Sequence, residues 1–373
     1  MLLQLTIENV LSFREPVTFS MLASPEVDHK PQQVINVPGC PPVLRVAAIY
    51  GANASGKSNL VAAVSWVRDL MLYGVRPGNS LDMSRFKLDN HSRDRSGRVE
   101  LELFVQGFHY SYGVQFSDSE IAEEWLLRAN AVGEESVPLF ERHKDGKINI
   151  RSSFSEQEGV HSFLEFVALG TRPNQPFISE LREKDYKPLS GLFKWLSSEF
   201  EDVFPDDEGS AGLSKALMTL LETEEVSRFT QQLLKETDTG VDNIRVVEVE
   251  TPISRRKFKE LVLYHQGHPM SVEEESDGTV RLIHLGPELH MLFDDNTESP
   301  VLFVDELDRS LHTLLTQHVV KRVLTADSRK PRQLIFTTHD TNLLDLALLP
   351  RDSVWFVEKD KTGNSTLYSL AEF

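Results

Sequence analysis

The stretch from Ile49 to Leu60, IYGANASGKSNL, constrains this chain more than any other. Gly51, Gly56, Lys57 and Ser58 satisfy the pattern G-x-x-x-x-G-K-[ST], which a chain of 373 residues meets by chance roughly 1% of the time. Ahead of it, Val46 to Tyr50 form a short apolar run that reads as a buried strand. Behind it, Leu60, Val61, Val64, Val67, Leu70 and Met71 recur at helical spacing. Strand, glycine loop and helix are the order that phosphate chemistry needs. Backbone N–H groups and the helix N-terminus face the phosphates, Lys57 reaches the β and γ groups, and Ser58 ligates Mg²⁺.

The rest of the composition sets bounds. At 373 residues and 40% hydrophobic content the chain can bury one large core or two ordinary ones. It has no apolar run of membrane-spanning length, and Leu3, Leu5 and Ile7 enter a strand pattern at once, so a cytoplasmic protein with no membrane partner is expected. The single cysteine, Cys40, sits in a Pro-Gly-Cys-Pro-Pro turn and excludes an internal disulfide framework. A formal charge of −18 argues against a broad basic surface for DNA.

Alternation from Arg98 to Phe116 about Gln106-Gly107 predicts a hairpin of two long strands, and Lys144 to Lys147 predicts a second hairpin turn. From residue 162 to 240 helical spacing takes over (Leu192, Phe193, Trp195, Leu196; Leu217, Leu220, Leu221; Phe229, Leu233), interrupted by the acidic, proline-containing stretch Glu199 to Gly209. Strand signals return at Ile244 to Val249 and Glu260 to His265, with a turn near Gln266-Gly267. The expected organisation is an N-terminal lobe (1–161), a helical insertion (162–240) and a C-terminal lobe (241–373).

Three downstream motifs complete the pattern. Val301 to Val304 is a buried strand ending in Asp305-Glu306; with a phosphate loop upstream, Asp305 suits the Mg²⁺ shell and Glu306 suits a base that takes a proton from water. Gln333 to Thr337 is the next apolar strand and leads to His339, placed at the strand edge where ligands of parallel sheets gather. Ser276-Asp277-Gly278-Thr279 opens a helical pattern as an N-cap, an anion-binding end, and Gly286-Pro287 is expected to bend or break that helix after about two turns.

In this order the motifs resemble the ABC-ATPase superfamily, in the branch that contains RecF, SMC and OLD-like ATPases, and more closely the stand-alone AAA-type ATPases of bacterial anti-phage defence operons. LTIENVLSFRE is similar to that branch's first strand and adenine-side turn, ESDGTVRL to its signature, FVDELDRSLHTLL to its acid pair and following loop, and TTHD to its switch. The resemblance implies an α/β fold: an ABC-type P-loop ATPase head with a mixed and parallel sheet core, an antiparallel β lobe and a short helical insertion. It implies that Gly51, Asn53, Ser55, Gly56, Lys57 and Ser58 bind phosphate in cis, with Ser58 and Asp305 at the metal. Glu306, His339 and Lys57 would carry catalysis, while Ser276 and Gly278 contact the nucleotide of the opposite subunit. ATP and Mg²⁺ are the implied cofactors. His312 stands where many relatives carry an aspartate, as on the RecF and OLD side, and Leu11 stands where DNA-repair members have an arginine.

The function implied is hydrolysis of ATP by a homodimer, or higher homo-oligomer, joined through the ATP sandwich. That assembly would act as sensor, scaffold or regulator of a separately encoded effector, a nuclease being one candidate, with nucleic acid reached through the complex. A RecF- or SMC-like DNA-repair or DNA-end clamp is the alternative. The helical insertion is too short and irregular for SMC arms, ESDGT fits a transporter signature poorly, and the tail after His339 is too short for a fused Toprim nuclease.

Overall fold

The computed structural model describes residues 1–151, 159–205, 210–237, 239–250, 257–326 and 330–373; the end of the acidic stretch, 206–209, lies outside them. Its frame is a six-stranded sheet in the order Phe200–Val203, Val301–Val304, Gln333–Thr338, Val46–Tyr50, Val354–Lys359, Ser365–Ser369. The first five strands are parallel and the last is antiparallel. Its central strands read as unbroken apolar runs because both faces are covered. Ala47, Ile49, Phe303, Ile335 and Val357 enter one core, while Val46, Ala48, Tyr50, Leu302, Val304, Leu334 and Phe336 enter another on the opposite face.

The first core is closed by the P-loop helix Lys57–Tyr73 and by a second, wholly antiparallel sheet. That sheet runs Ile148–Ile150, Val137–Arg142, Ile121–Ala129, Phe108–Phe116, Gly97–Val105, Leu2–Glu8, Val17–Ser20. Its central pair is the hairpin expected between Arg98 and Phe116, turning where Gln106 (φ 50°) and Gly107 (φ 82°) both take the left-handed backbone that a two-residue loop requires. The turn at Lys144 to Lys147 likewise joins two paired strands. The second core is closed by the signature helix Asp277–Phe293 and by helices Glu224–Glu236 and Thr313–Thr325.

Three features depart from the sequence pattern. The acidic stretch that interrupts the helical segment contributes Phe200–Val203, the edge strand beside Val301–Val304. After Gln266-Gly267 a third strand, His268–Ser271, pairs back onto Lys257–His265. Finally, the signature helix does not break at Pro287 but continues as a single helix of 17 residues. Proline costs the helix about 3 kcal/mol through one lost donor and a clash, whereas fully burying each leucine returns roughly 2 kcal/mol. Leu282, Leu285, Leu289 and Leu292 are all at most 1% exposed. Gly286 serves close packing here: a Cβ on it would lie 2.3 Å from Thr230 Oγ1 of the adjoining helix.

Candidate functional site

The parallel register aligns the ends of three strands. Thr338 pairs with Tyr50, and Val304 with Phe336, so the P-loop, the acid pair and His339 emerge along one edge. The loop geometry depends on two glycines. A Cβ on Gly51 would lie 2.4 Å from the Val357 carbonyl oxygen, and one on Gly56 (φ 119°) would lie 2.6 and 2.7 Å from the hydroxyls of Ser365 and Ser12. Those hydroxyls fasten the loop from behind. Asn59 Nδ2 donates to Ser12 Oγ at 2.8 Å, the Ser12 and Ser365 hydroxyl oxygens are 2.8 Å apart, and Ser365 Oγ donates to the Ser55 carbonyl at 2.5 Å.

Gly56 caps the P-loop helix, whose first residue is Lys57. The Lys57 ammonium donates to the carbonyls of Gly51 (2.8 Å) and Ala52 (3.2 Å) and lies 3.2 Å from His339 Nε2. Burial pulls its pKa below the usual lysine value, opposed by the carboxylates of Asp305, Glu306 and Asp308. Asn53 and Ser58 are exposed, on the loop crest and the helix's first turn, and Ser55 is buried with its hydroxyl unpaired among the described residues.

Asp305 is 2% exposed. Thr337 Oγ1 donates to its Oδ1 at 2.6 Å and accepts from the Glu306 amide at 2.8 Å. Glu306 itself has a left-handed φ of 51°, unusual for a non-glycine residue. Its Oε1 lies 3.9 Å from His339 Nε2 and its Oε2 lies 3.6 Å from Arg309 Nη1. From the other side, Arg281 Nη2, on the signature helix, donates to the carbonyls of Asp305 (3.3 Å) and Glu306 (3.2 Å). Lys57, Asp305, Glu306 and His339, singled out in sequence, thus converge on one cluster. Thr337, Arg281, Ser12, Asn59 and Ser365 join it only through tertiary contacts.

Ser276 and Gly278 stand apart from that cluster. Ser276 caps the signature helix by accepting from the Thr279 amide at 3.2 Å, and a Cβ on Gly278 would lie 2.9 Å from the Ser310 carbonyl. They line a cleft of about 790 Å³ together with Thr279, Ser310, His312 and His318, and no residue of the P-loop or acid pair lines it.

The donor set fits a magnesium nucleotide. The Ser58 hydroxyl and the Asp305 carboxylate are the hard oxygen ligands that Mg²⁺ prefers, and the unpaired, 4% exposed Ser55 hydroxyl suits a phosphate oxygen.

No curated protein matches the sequence. Similar solved structures include "SMC head domain from Thermotoga maritima" (13% identity, TM-score 0.46, covering 99% of this chain and 98% of that one). A second is an Smc head "bound to the C-winged helix domain of ScpA" (18% identity, TM-score 0.47, 99% and 97%). A third is an Smc head with an extended coiled coil from Pyrococcus furiosus (14% identity, TM-score 0.44, 99% and 96%). The P-loop, the acid pair and His339 meeting at one edge of a parallel sheet fit the α/β P-loop ATPase head expected from the sequence. The family model described as "AAA domain, putative AbiEii toxin, Type IV TA system" matches residues 46–345, more than half of the chain, and the chain belongs to that family.

Proposed function

We propose that this chain binds and hydrolyses Mg-ATP as one half of a homodimer that closes around two nucleotides, and that the dimer regulates a separately encoded effector in anti-phage defence. The observation that carries the reading is the division of the site: phosphate-binding and acid residues in one cluster, signature residues in a cleft with none of them. A second copy supplying Ser276 and Gly278 completes each site. The family's description, "putative AbiEii toxin, Type IV TA system", supports a second, separately encoded protein acting with this one. Among the described residues no helix is long and apolar enough to cross a membrane.

Each side chain then has a role. The Gly51 to Ser58 loop cradles the phosphates, with Ser58 and Asp305 holding the Mg²⁺, which neutralises phosphate charge when bound. Lys57 pairs with the β and γ groups, Glu306 accepts a proton from the attacking water, and His339, beside both Lys57 and Glu306, contacts the γ-phosphate. Phosphate release from Mg-ATP tests the chemistry. Wild type is expected to turn over, and Glu306→Gln to lose on the order of 10²-fold in rate while still binding ATP. A Glu306→Gln rate equal to wild type would remove Glu306 from the role of base.

A further inference from the structure

We infer that Thr337 is the positioning residue for both acids: one buried hydroxyl on the switch strand sets the Asp305 carboxylate toward the metal and fixes the backbone from which Glu306 projects. The inference rests on the function proposed above and adds a residue to that site. A hydroxyl carries one proton. Thr337 donates it to Asp305 Oδ1 at 2.6 Å, so toward the Glu306 amide at 2.8 Å the same oxygen is the acceptor. The direction of the chain, from the Glu306 amide through the Thr337 hydroxyl to the Asp305 carboxylate, is therefore fixed.

The peptide between Asp305 and Glu306 is held at both ends. Its N–H goes to Thr337 on the switch strand and its C=O to Arg281 on the signature helix. Its plane sets the direction in which Glu306 leaves the strand, at a φ of 51° that costs an L-residue roughly 1–2 kcal/mol. Thr337 is 0% exposed, so without its hydroxyl water has poor access to replace either bond. The two acids would then relax independently. Thr337 also lies two residues before His339, which ties the aim of the acids to the strand that carries the γ-phosphate contact.

Three variants separate positioning from packing: Thr337→Val, which keeps the shape and removes the hydroxyl; Thr337→Ser, which keeps the hydroxyl and removes a methyl; and Thr337→Ala, which removes both. Turnover of Mg-ATP is read alongside the rise in melting temperature produced by ATP at increasing Mg²⁺, with ATP plus EDTA as reference. Loss of an outer support of this kind costs about 10–100-fold in activity or metal affinity. The Val and Ala variants are expected to lose that factor in kcat and to need correspondingly more Mg²⁺ for half of the thermal shift. Their KM for ATP should stay within about threefold of wild type, because the P-loop is untouched, and Ser should recover most of both losses. A Val variant with wild-type kcat and wild-type Mg²⁺ requirement overturns the inference, and so does a Ser variant as defective as Val. If wild type shows no turnover, the function proposed above fails instead. The Mg²⁺ dependence of the thermal shift then decides Thr337 alone, with Val equal to wild type refuting it.

Discussion

Arg281 reaches from the signature helix to the main-chain carbonyl of Glu306 at 3.2 Å, so the element proposed to contact a partner's nucleotide also holds this chain's own acid pair. Arg281 is 1% exposed. Replacing it with Met removes the guanidinium from the Asp305 carbonyl and one of two donors from the Glu306 carbonyl, which also accepts from the Arg309 amide at 3.0 Å; an unsatisfied buried group costs about 1–3 kcal/mol. Urea unfolding of Arg281→Met is expected to show a loss of roughly 1–3 kcal/mol, accompanied by a fall in turnover of at least about tenfold. An unfolding curve superimposable on wild type would show the Asp305 carbonyl to be satisfied otherwise.

The fastening behind the P-loop gives a binding prediction. Gly56 has both a forbidding φ and two hydroxyls where a side chain would go. Gly56→Ala should weaken ATP by about 100-fold or more, since strain and clash together cost several kcal/mol. The milder pair Ser12→Ala with Ser365→Ala, which unties the Ser55 carbonyl and the Asn59 amide without adding bulk, should cost about tenfold. Titration of a fluorescent ATP analogue measures both; an unchanged affinity in Gly56→Ala would contradict the loop geometry.

In the antiparallel sheet, Gly113 stands directly opposite Trp125, whose ring fills the space a side chain would need: a Cβ would lie 2.0 Å from Cζ2. Arg98 stacks over the same ring, 5.3 Å from its centroid. Gly113→Ala should therefore destabilise by about 1–3 kcal/mol, and the penalty should vanish when Trp125→Ala is combined with it. Additive costs in the double variant would show that the clash is not with Trp125.

How much of this was legible in the chain follows from where the information lies. Lys57, Asp305 and Glu306 were readable because each follows an apolar strand buried on both faces, a signal held within ten residues. His339 was readable for the same reason, and Ser276 as an N-cap ahead of a helical pattern. Thr337 and Arg281 were not: one is a threonine in a strand, the other an arginine in a helix, until folding brings them within 3.3 Å of residues 24 to 32 positions away. Ser365 touches Ser12 across 353 positions, a distance no pattern spans. Pro287 misled because local propensity argued against a helix that tertiary burial sustains. The strand Phe200–Val203 was hidden because its acidic surroundings carry no alternation, and its parallel partner lies about a hundred residues on.

A buried carboxyl supplies a pH test. Glu124 is 0% exposed and accepts from the amides of Phe177 (2.8 Å) and Ile178 (3.2 Å) and from the Tyr112 hydroxyl (3.2 Å). Burial raises its pKa above the ordinary glutamate value, more than Arg142 and the amide donors lower it. A raised folded pKa means that the native state holds this proton to higher pH than the unfolded chain does, so its contribution is present at low pH and lost as pH rises through the folded pKa. Glu124→Gln removes that titration. The melting temperature of wild type relative to Glu124→Gln should therefore rise as pH is lowered from 8 toward 5; a difference that grows in the opposite direction would contradict the burial argument.

Two copies of the chain are proposed to complete each other's nucleotide sites. That pairing is tested most directly by the solution mass of Glu306→Gln with and without Mg-ATP, because removing the base should trap the bound nucleotide with the cradle intact. The mass is expected to double only with Mg-ATP, and not to double once Ser276→Arg is added. A mass indifferent to ATP, or a doubling that survives Ser276→Arg, would contradict it.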